Sequence, residues 1–240
     1  MSNIEYLTLK QLTGLDDTKL TALPTSFSYL CLGAQNRTHL GHPDAIKALL
    51  ELQALAEKDK QPFQVISSYR SYEHQQSIWN RKYQGQLPVL DANENKVEID
   101  KLEPLEKIQA IMLYSALPGA SRHHWGTDFD IFPSAAIEKG HQVQLVASEF
   151  NAQGVAAEFE LWLKDILPLT DFFRPYDKFQ NGIASEPWHI SYYPLANAAL
   201  KQLTQEKLLA MLFDDVAGKD TIGSNIDSLY QRYIANICRP

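Results

Sequence analysis

The chain has 240 residues, 45% hydrophobic and 21% charged, the proportions of a globular protein able to bury its own core; this excludes disorder, collagen and a coiled coil for the chain as a whole. A net charge of −7, from 22 Lys and Arg against 29 Asp and Glu, with no basic run, argues against a nucleic-acid partner, and no stretch of about 18 apolar residues marks a membrane span. The two cysteines, Cys31 and Cys238, are too few for a disulfide framework or a structural zinc site of their own and are expected to be free, buried thiols.

The opening MSNIEYLTLKQLTGLDD has no basic start, apolar stretch or small-residue cleavage site, so a cytoplasmic location is expected, with the periplasm as the alternative. Residues 1–41 are poorly periodic and are expected to form an N-terminal segment ahead of a core spanning 42–194. His42-Pro43-Asp44 leads into AIKALLELQALAEK, whose apolar residues recur at three-to-four spacing: an amphipathic helix with Pro43 in its first turn. Residues 62–67 alternate and are rich in β-formers, so a short strand is expected. Residues 71–84 read as a helix capped by Ser71, and 85–97, with Gly, Pro, Asn and Asp, as a loop. A helix over 104–116 opens on Pro104; a strand follows over 127–132, a helix over 154–166, and strands over 171–174 and 187–192. From Leu195 the chain is expected to be helical to the end, broken around Gly218 to Gly223, as an extension packed on the core. Short strands scattered among helices predict an α+β fold: a small antiparallel sheet flanked by helices, with a C-terminal helical extension.

The densest chemistry lies in SRHHWGTDFD, Ser121 to Asp130, with a second cluster in Glu186-Pro187-Trp188-His189. A catalytic zinc takes three protein ligands and leaves one position open. His123, Asp130 and His189 make such a set. Asp128 and Asp130 share one face of the expected strand while Phe129 points to the other, and Gly126 permits a sharp turn between His123 and that strand. Glu186, three residues before His189, could take a proton from an activated water. Trp188 could wall the pocket or simply pack in the core. Arg70, in Ser67-Ser68-Tyr69-Arg70-Ser71 at a strand-to-helix junction, has the planar fork that suits a carboxylate or an oxyanion; Gln75 lies one turn into the following helix. His39, His42, His74 and His141 are expected to be structural or surface residues.

Taken together, Ser67-Ser68-Tyr69-Arg70-Ser71 with Gln75, then Ser121-Arg122-His123-His124-Trp125-Gly126-Thr127-Asp128-Phe129-Asp130, then Glu186-Pro187-Trp188-His189 resemble, in order, the three motifs of the D-alanyl-D-alanine carboxypeptidase (VanY-type) zinc peptidases. These share a superfamily with lysostaphin-type enzymes and the hedgehog signalling domain. The resemblance spans about residues 42 to 194. It implies Zn2+ held by His123, Asp130 and His189, Glu186 as catalytic base, and Arg70 polarising the scissile carbonyl. It also implies Ser121 and Gln75 seating the substrate terminus, with Ser68, Tyr69, Asp128 and Trp188 as further substrate contacts. The implied substrate is the D-alanine-terminated stem peptide of peptidoglycan, as muropeptide or precursor. The expected activity is D,D-carboxypeptidase; the alternatives are an L,D-carboxypeptidase, an endopeptidase or lysin on the same scaffold, and a non-catalytic zinc-containing cell-wall binding protein. Three positions depart from the family pattern. Ser68 stands where Gly is common, Asp128 stands where Ala is usual, and Ile190-Ser191-Tyr192-Tyr193 follows the Trp-His pair where relatives often carry an Arg. Asp128 could orient a ligand histidine, bind a substrate amine, or face solvent.

Overall fold

In a computed structural model, residues 7–27 and 38–240 are described. Cys31 lies outside them. The N-terminal region contains a single helical turn, α1 (Leu9–Leu12), closed by a capping box between Thr8 and Gln11, and a two-stranded ribbon, β1 (Thr21–Ala22) with β2 (Leu40–Gly41). Helix α2 (Pro43–Lys58) begins as its sequence requires, with Pro43 at the first helical position. Its cap is His42, whose ring accepts the Asp44 N–H at 3.3 Å. Strand β3 (Phe63–Ser67) leads into α3 (Tyr72–Tyr83), capped by the Ser71 hydroxyl, which accepts the His74 N–H. Helix α4 (Pro104–Met112) ends before the expected residue 116, and the turn that follows it puts Tyr114, Ser115 and Ala116 on the cavity described below. Strand β4 (Asp128–Pro133) is followed by a short α5 (Ser134–Glu138), which the sequence reading lacks. Next come α6 (Ala157–Ile166), β5 (Phe172–Phe173) and β6 (His189–Tyr192).

The four strands β3, β4, β6 and β5 form one antiparallel sheet in that order, as the α+β expectation requires. One face packs against α2 and α6. Alternate residues Phe129 and Ile131 enter a core with Leu49, Leu52, Phe63, Phe159 and Leu163. Central β4 is buried along its whole length, which is why its polar residues are conspicuous.

The C-terminal segment forms α7 (Tyr193–Gln202), α8 (Gln205–Ala210), α9 (Lys219–Ser224) and α10 (Ile226–Leu229), closed by a π turn over Tyr230–Ile234. The expected break is displaced: α9 occupies it, and the non-helical stretch runs from Met211 to Gly218. Gly218, at φ 78°, stands at the start of α9, and Gly223 sits inside the helix. These helices share a second core with α3 and α4, in which Trp79, Ile108, Leu208, Val216 and Ile222 are buried together. Trp79 Nε1 donates to the Ala217 carbonyl at 2.9 Å. The N-terminal region is tied in equally closely: Trp125 Nε1 donates to Leu12 O at 3.0 Å, and the Gly14 carbonyl accepts from both Tyr69 Oη and the Tyr72 N–H. Cys238 is a free thiol, half-buried rather than buried as expected, because it lies near the chain end, where Gln180 Nε2 donates to its sulfur at 3.2 Å. No helix among the described residues is long and apolar enough to cross a membrane.

Trp79 is fully buried where α3 meets the C-terminal helices. Trp79→Ala is expected to cost about 3–5 kcal/mol in urea denaturation. A loss below about 1 kcal/mol would show that the C-terminal helices contribute little to the folded unit.

Candidate active site

Sheet register builds the site. In the β4–β6 ladder Asp130 lies directly opposite His189, and Asp128 opposite Ser191. On the other side of β4, an irregularity between Val65 and Ser67 of β3 brings Ser67 opposite Asp130. His123 comes from a 3-10 turn, Arg122–Trp125, that ends on Gly126 at φ 67°. Glycine suits that position because left-handed backbone disfavours a side chain, and a Cβ would also stand 3.0 Å from the His42 backbone nitrogen. The expected sharp turn between His123 and β4 is therefore present.

His123, Asp130 and His189 are buried, and one donor atom from each lies within 4.8 Å of the others. Asp130 Oδ2 is 3.4 Å from His123 Nε2, and Asp130 Oδ1 is 3.1 Å from His189 Nδ1. The remaining ring nitrogens are both fixed from behind. His123 Nδ1–H donates to the Ser68 carbonyl at 2.8 Å, and His189 Nε2–H donates to Asp128 Oδ1 at 3.0 Å. This leaves His123 Nε2 and His189 Nδ1 facing inward, the arrangement in which ligand histidines are held in metal sites. The carboxylates act strongly on the rings they face. Burial acts to lower the His189 pKa, but hydrogen bonds and charge from Asp128 and Asp130 raise it to about 9. Burial acts to raise the Asp130 carboxyl, yet His123 and His189 hold it far below the usual carboxylate range.

Behind the triad, Arg122 Nε donates to Asp128 Oδ1 at 2.7 Å and Nη2 to Ser191 Oγ at 2.5 Å. Two departures from the family pattern, Asp128 and the residue Ser191, are thus a cross-strand pair held by one guanidinium. Thr127 Oγ1 donates to Asp128 Oδ2 at 2.6 Å. Although burial opposes it, the Arg122 charge and these hydrogen bonds keep the Asp128 carboxyl down at about 2.

A cavity of about 580 Å³ opens in front of the triad, lined by Arg70, Ser121, His123, Asp130, Glu186, Trp188 and His189 among others. Glu186 Oε2 is 3.7 Å from His189 Nδ1. Burial pushes the Glu186 carboxyl up to about 8, with His189, Arg70 and Lys82 opposing and Asp130 adding to the rise. The Arg70 guanidinium is aimed by two bonds, Nη1 to Gln75 Oε1 at 2.8 Å and Nη2 to Ser67 Oγ at 3.1 Å. Gln75 is itself anchored by Nε2 on the Ala116 carbonyl.

The structure therefore brings together His123, Asp130, His189, Glu186, Arg70, Ser121 and Trp188. Gln75, Ser68, Tyr69 and Asp128, expected as further substrate contacts, do not line the cavity. Gln75 is fully buried behind Arg70, and Ser68 gives its carbonyl to His123 and its hydroxyl to His39 Nδ1. Tyr69 turns toward Gly14, and Asp128 is sealed between Arg122 and His189. Of the three roles left open for Asp128, its position is that of a residue orienting a histidine.

Sequence reading missed two residues. Arg122 had a signal, because a carboxylate on a fully buried strand needs a cation. His124 had none. Its Nδ1–H donates to the Arg70 carbonyl at 2.6 Å and its Nε2 accepts the Gly119 N–H at 3.1 Å; burial holds its pKa down at about 3, so the ring is a neutral spacer beneath Arg70. His42 and His141 serve locally, His42 as a helix cap and His141 on Glu149.

The family model of VanY, D-alanyl-D-alanine carboxypeptidase, matches residues 38–195. The chain belongs to this family. The VanY-type sequence is 36% identical over 121 residues to an uncharacterized protein of Haemophilus influenzae (strain ATCC 51907 / DSM 11121 / KW20 / Rd), covering 49% of this chain and 92% of that protein. The LdcB LD-carboxypeptidase shares the fold, with a TM-score of 0.52 at 20% identity over 82% of this chain and 79% of that one. A vancomycin-resistance D,D-pentapeptidase VanY in complex with Zn(II) is similar at a TM-score of 0.48 and 21% identity, covering 78% of this chain and 93% of that one.

Asp128→Ala leaves the Arg122 guanidinium buried without its carboxylate, and is expected to destabilise the protein by about 3–5 kcal/mol in chemical denaturation. Adding Arg122→Met should recover much of that loss. A single variant as stable as the parent would refute the ion pair's structural role.

Proposed function

We propose that this VanY-type protein is a zinc-dependent D,D-carboxypeptidase that removes the terminal D-alanine from the stem peptide of peptidoglycan or its precursors. The observation that carries the reading is the convergence of His123, Asp130 and His189 with Glu186 and Arg70 on one cavity. The donor set fits zinc: two imidazoles and one carboxylate, buried, with both rings oriented from behind. His123 Nε2, His189 Nδ1 and an Asp130 oxygen would hold the ion. Zn2+ bound there supplies Lewis-acid polarisation of a carbonyl and a water acidified to a pKa of about 7.

The chain's own groups supply the rest. Glu186 stands beside the triad with a carboxyl that burial makes unusually basic, and the charge of a bound dication brings it back toward ionisation. Its carboxylate receives the proton of the attacking water and returns it to the amide nitrogen of the departing residue. Arg70, locked by Gln75 and Ser67, offers its remaining N–H groups to the negative charge that develops on the scissile carbonyl oxygen. Such a donor acts strongly because it needs no reorganisation during the reaction. Ser121 and Trp188, on the cavity wall, bound the space in which the peptide lies.

Mass spectrometry of a muropeptide pentapeptide and tetrapeptide tests the reading. Loss of one alanine from the pentapeptide alone is expected; loss from the tetrapeptide shifts the assignment to L,D-carboxypeptidase, and no change in either refutes both. Glu186→Gln should lower kcat by about 10²–10⁴ while the protein still binds one Zn2+, and Arg70→Ala should lower it by about 10²–10³. Chelation should abolish turnover and added Zn2+ restore it; activity that survives complete metal removal would overturn the zinc assignment.

A further inference from the structure

Glu186 reaches the cavity from a segment without regular structure. Asp130 and His189 sit on strands, whereas residues 174–188, which join β5 to β6 and carry Glu186, form neither helix nor strand. The backbone of this segment nevertheless closes on itself. The Glu186 N–H donates to the Tyr176 carbonyl at 2.9 Å, and Ser185 Oγ donates to the Asp177 carbonyl at 3.1 Å. Residues 176–186 are therefore a compact loop whose ends are joined. Its neck faces the cavity through Tyr176 and Glu186, and the Tyr176 ring lies 5.2 Å from that of His189.

The far side of the loop is held by the C-terminal segment. Arg232 Nε, in the π turn, donates to the Asn181 carbonyl at 2.6 Å, and Asn236 Nδ2 donates to the Gln180 carbonyl at 2.6 Å. Gln180 Nε2 returns a bond to Cys238 Sγ at 3.2 Å, and the Cys238 N–H donates to the Pro175 carbonyl at 2.8 Å. Amid these contacts the two backbones touch. A Cβ on Gly182 would stand 2.1 Å from the Arg232 carbonyl oxygen, so the approach needs a residue without a side chain. Beneath them, Tyr176 and Ile183 share a core with Leu229, Tyr233 and Ile234.

A loop opens to water more readily than a strand does, and a reacting group displaced by about 1 Å loses on the order of 10²-fold in rate. Glu186 must keep its carboxylate beside the triad, where Oε2 is 3.7 Å from His189 Nδ1. The core side of the loop supplies a backbone anchor, the Ala184 N–H on the Leu113 carbonyl at 2.9 Å. The opposite side is supplied by residues 232–238, which lie beyond the family match that ends at residue 195. We propose that residues 232–238 clamp the loop that carries the base, with Arg232 and Asn236 as positioning residues that act on the reaction through Glu186. This inference rests on the reading of Glu186 as proton acceptor and adds to it what keeps that carboxylate in place.

The test compares the full zinc-loaded chain with its Arg232→Ala/Asn236→Ala variant by hydrogen exchange and by pentapeptide hydrolysis. Arg232 is exposed and Asn236 half-buried, so neither substitution empties the core. Exchange in residues 176–186 should rise about tenfold while that of β4 and β6 holds. The kcat should fall about tenfold or more, with KM within about twofold and one Zn2+ still bound. Gly182→Ala, which pushes the backbones apart from the loop's own side, should give the same pattern. Unchanged exchange in the loop would overturn the clamp, and so would raised exchange with a parental kcat. Exchange raised across β4 and β6 with loss of Zn2+, the mark of a merely structural role, would overturn it as well. The base itself is tested apart, by Glu186→Gln in the otherwise unaltered chain. A parental kcat there, or a parent that leaves the pentapeptide intact, sinks the reading of the site, and the clamp on the loop is then decided by exchange alone.

Discussion

The site depends first on the antiparallel pairing of β4 with β6. Asp130 faces His189 across that ladder, and Asp128 faces Ser191 two residues along. Side chains alternate along a strand, so a slip of one residue would turn both carboxylates into the apolar core and Phe129 and Ile131 out of it. The register is pinned by that core: Phe129, Ile131 and Ile190 are all fully buried on the side of α2 and α6. Metal-site geometry and hydrophobic packing are thus enforced by a single alignment. His123, which comes from a turn, is brought to the same point by the left-handed Gly126 and by the Ser68 carbonyl.

Placing ionisable groups on a fully buried strand carries a penalty that the structure meets with paired charges and hydrogen bonds. Asp128 is neutralised by Arg122, and Arg122 is in turn seated over the Trp125 ring at 4.8 Å. His124 supports Arg70 as a neutral ring, avoiding a further positive charge beside a guanidinium. Most of the groups facing the cavity therefore rest on a layer of hydrogen-bonded polar residues, of which Arg122 also reaches the cavity wall. Rigidity in that layer is what allows the inner nitrogens of His123 and His189 to hold a fixed direction.

Much of this was legible in the sequence because it rests on local rules. Pro43, Ser71 and the apolar periodicity of residues 45–58 locate α2 and α3. The alternation around Phe129 separates the two faces of β4, and the three motifs place Arg70, His123, Asp130, Glu186 and His189 in one cavity. What was not legible depends on distance along the chain. Gln75 was expected at the substrate and instead lies behind Arg70, because only the fold shows that Ala116 claims its amide. Tyr69 was assigned to substrate for its place in the motif, yet Gly14, 55 residues away, takes its hydroxyl. Arg122 sits next to a ligand histidine in sequence, but its purpose appears only when Asp128 and Ser191 become cross-strand neighbours. The displaced C-terminal break has a similar cause: glycine marks permission for a turn, and Gly218 uses that permission while Gly223 does not.

The small N-terminal turn has a consequence for how this protein is divided. The family match begins at residue 38, yet Leu12 and Gly14 receive hydrogen bonds from Trp125, Tyr69 and Tyr72, residues that flank the two halves of the site. A fragment cut at the edge of the match would leave the Trp125 indole N–H and the Tyr69 phenol without their acceptors. The matched stretch and the packed unit do not share a border here. The contacts that cross this border end on Tyr69, next to Arg70, and on Trp125, in the turn that carries His123, so changes before residue 38 can reach the site without touching a motif.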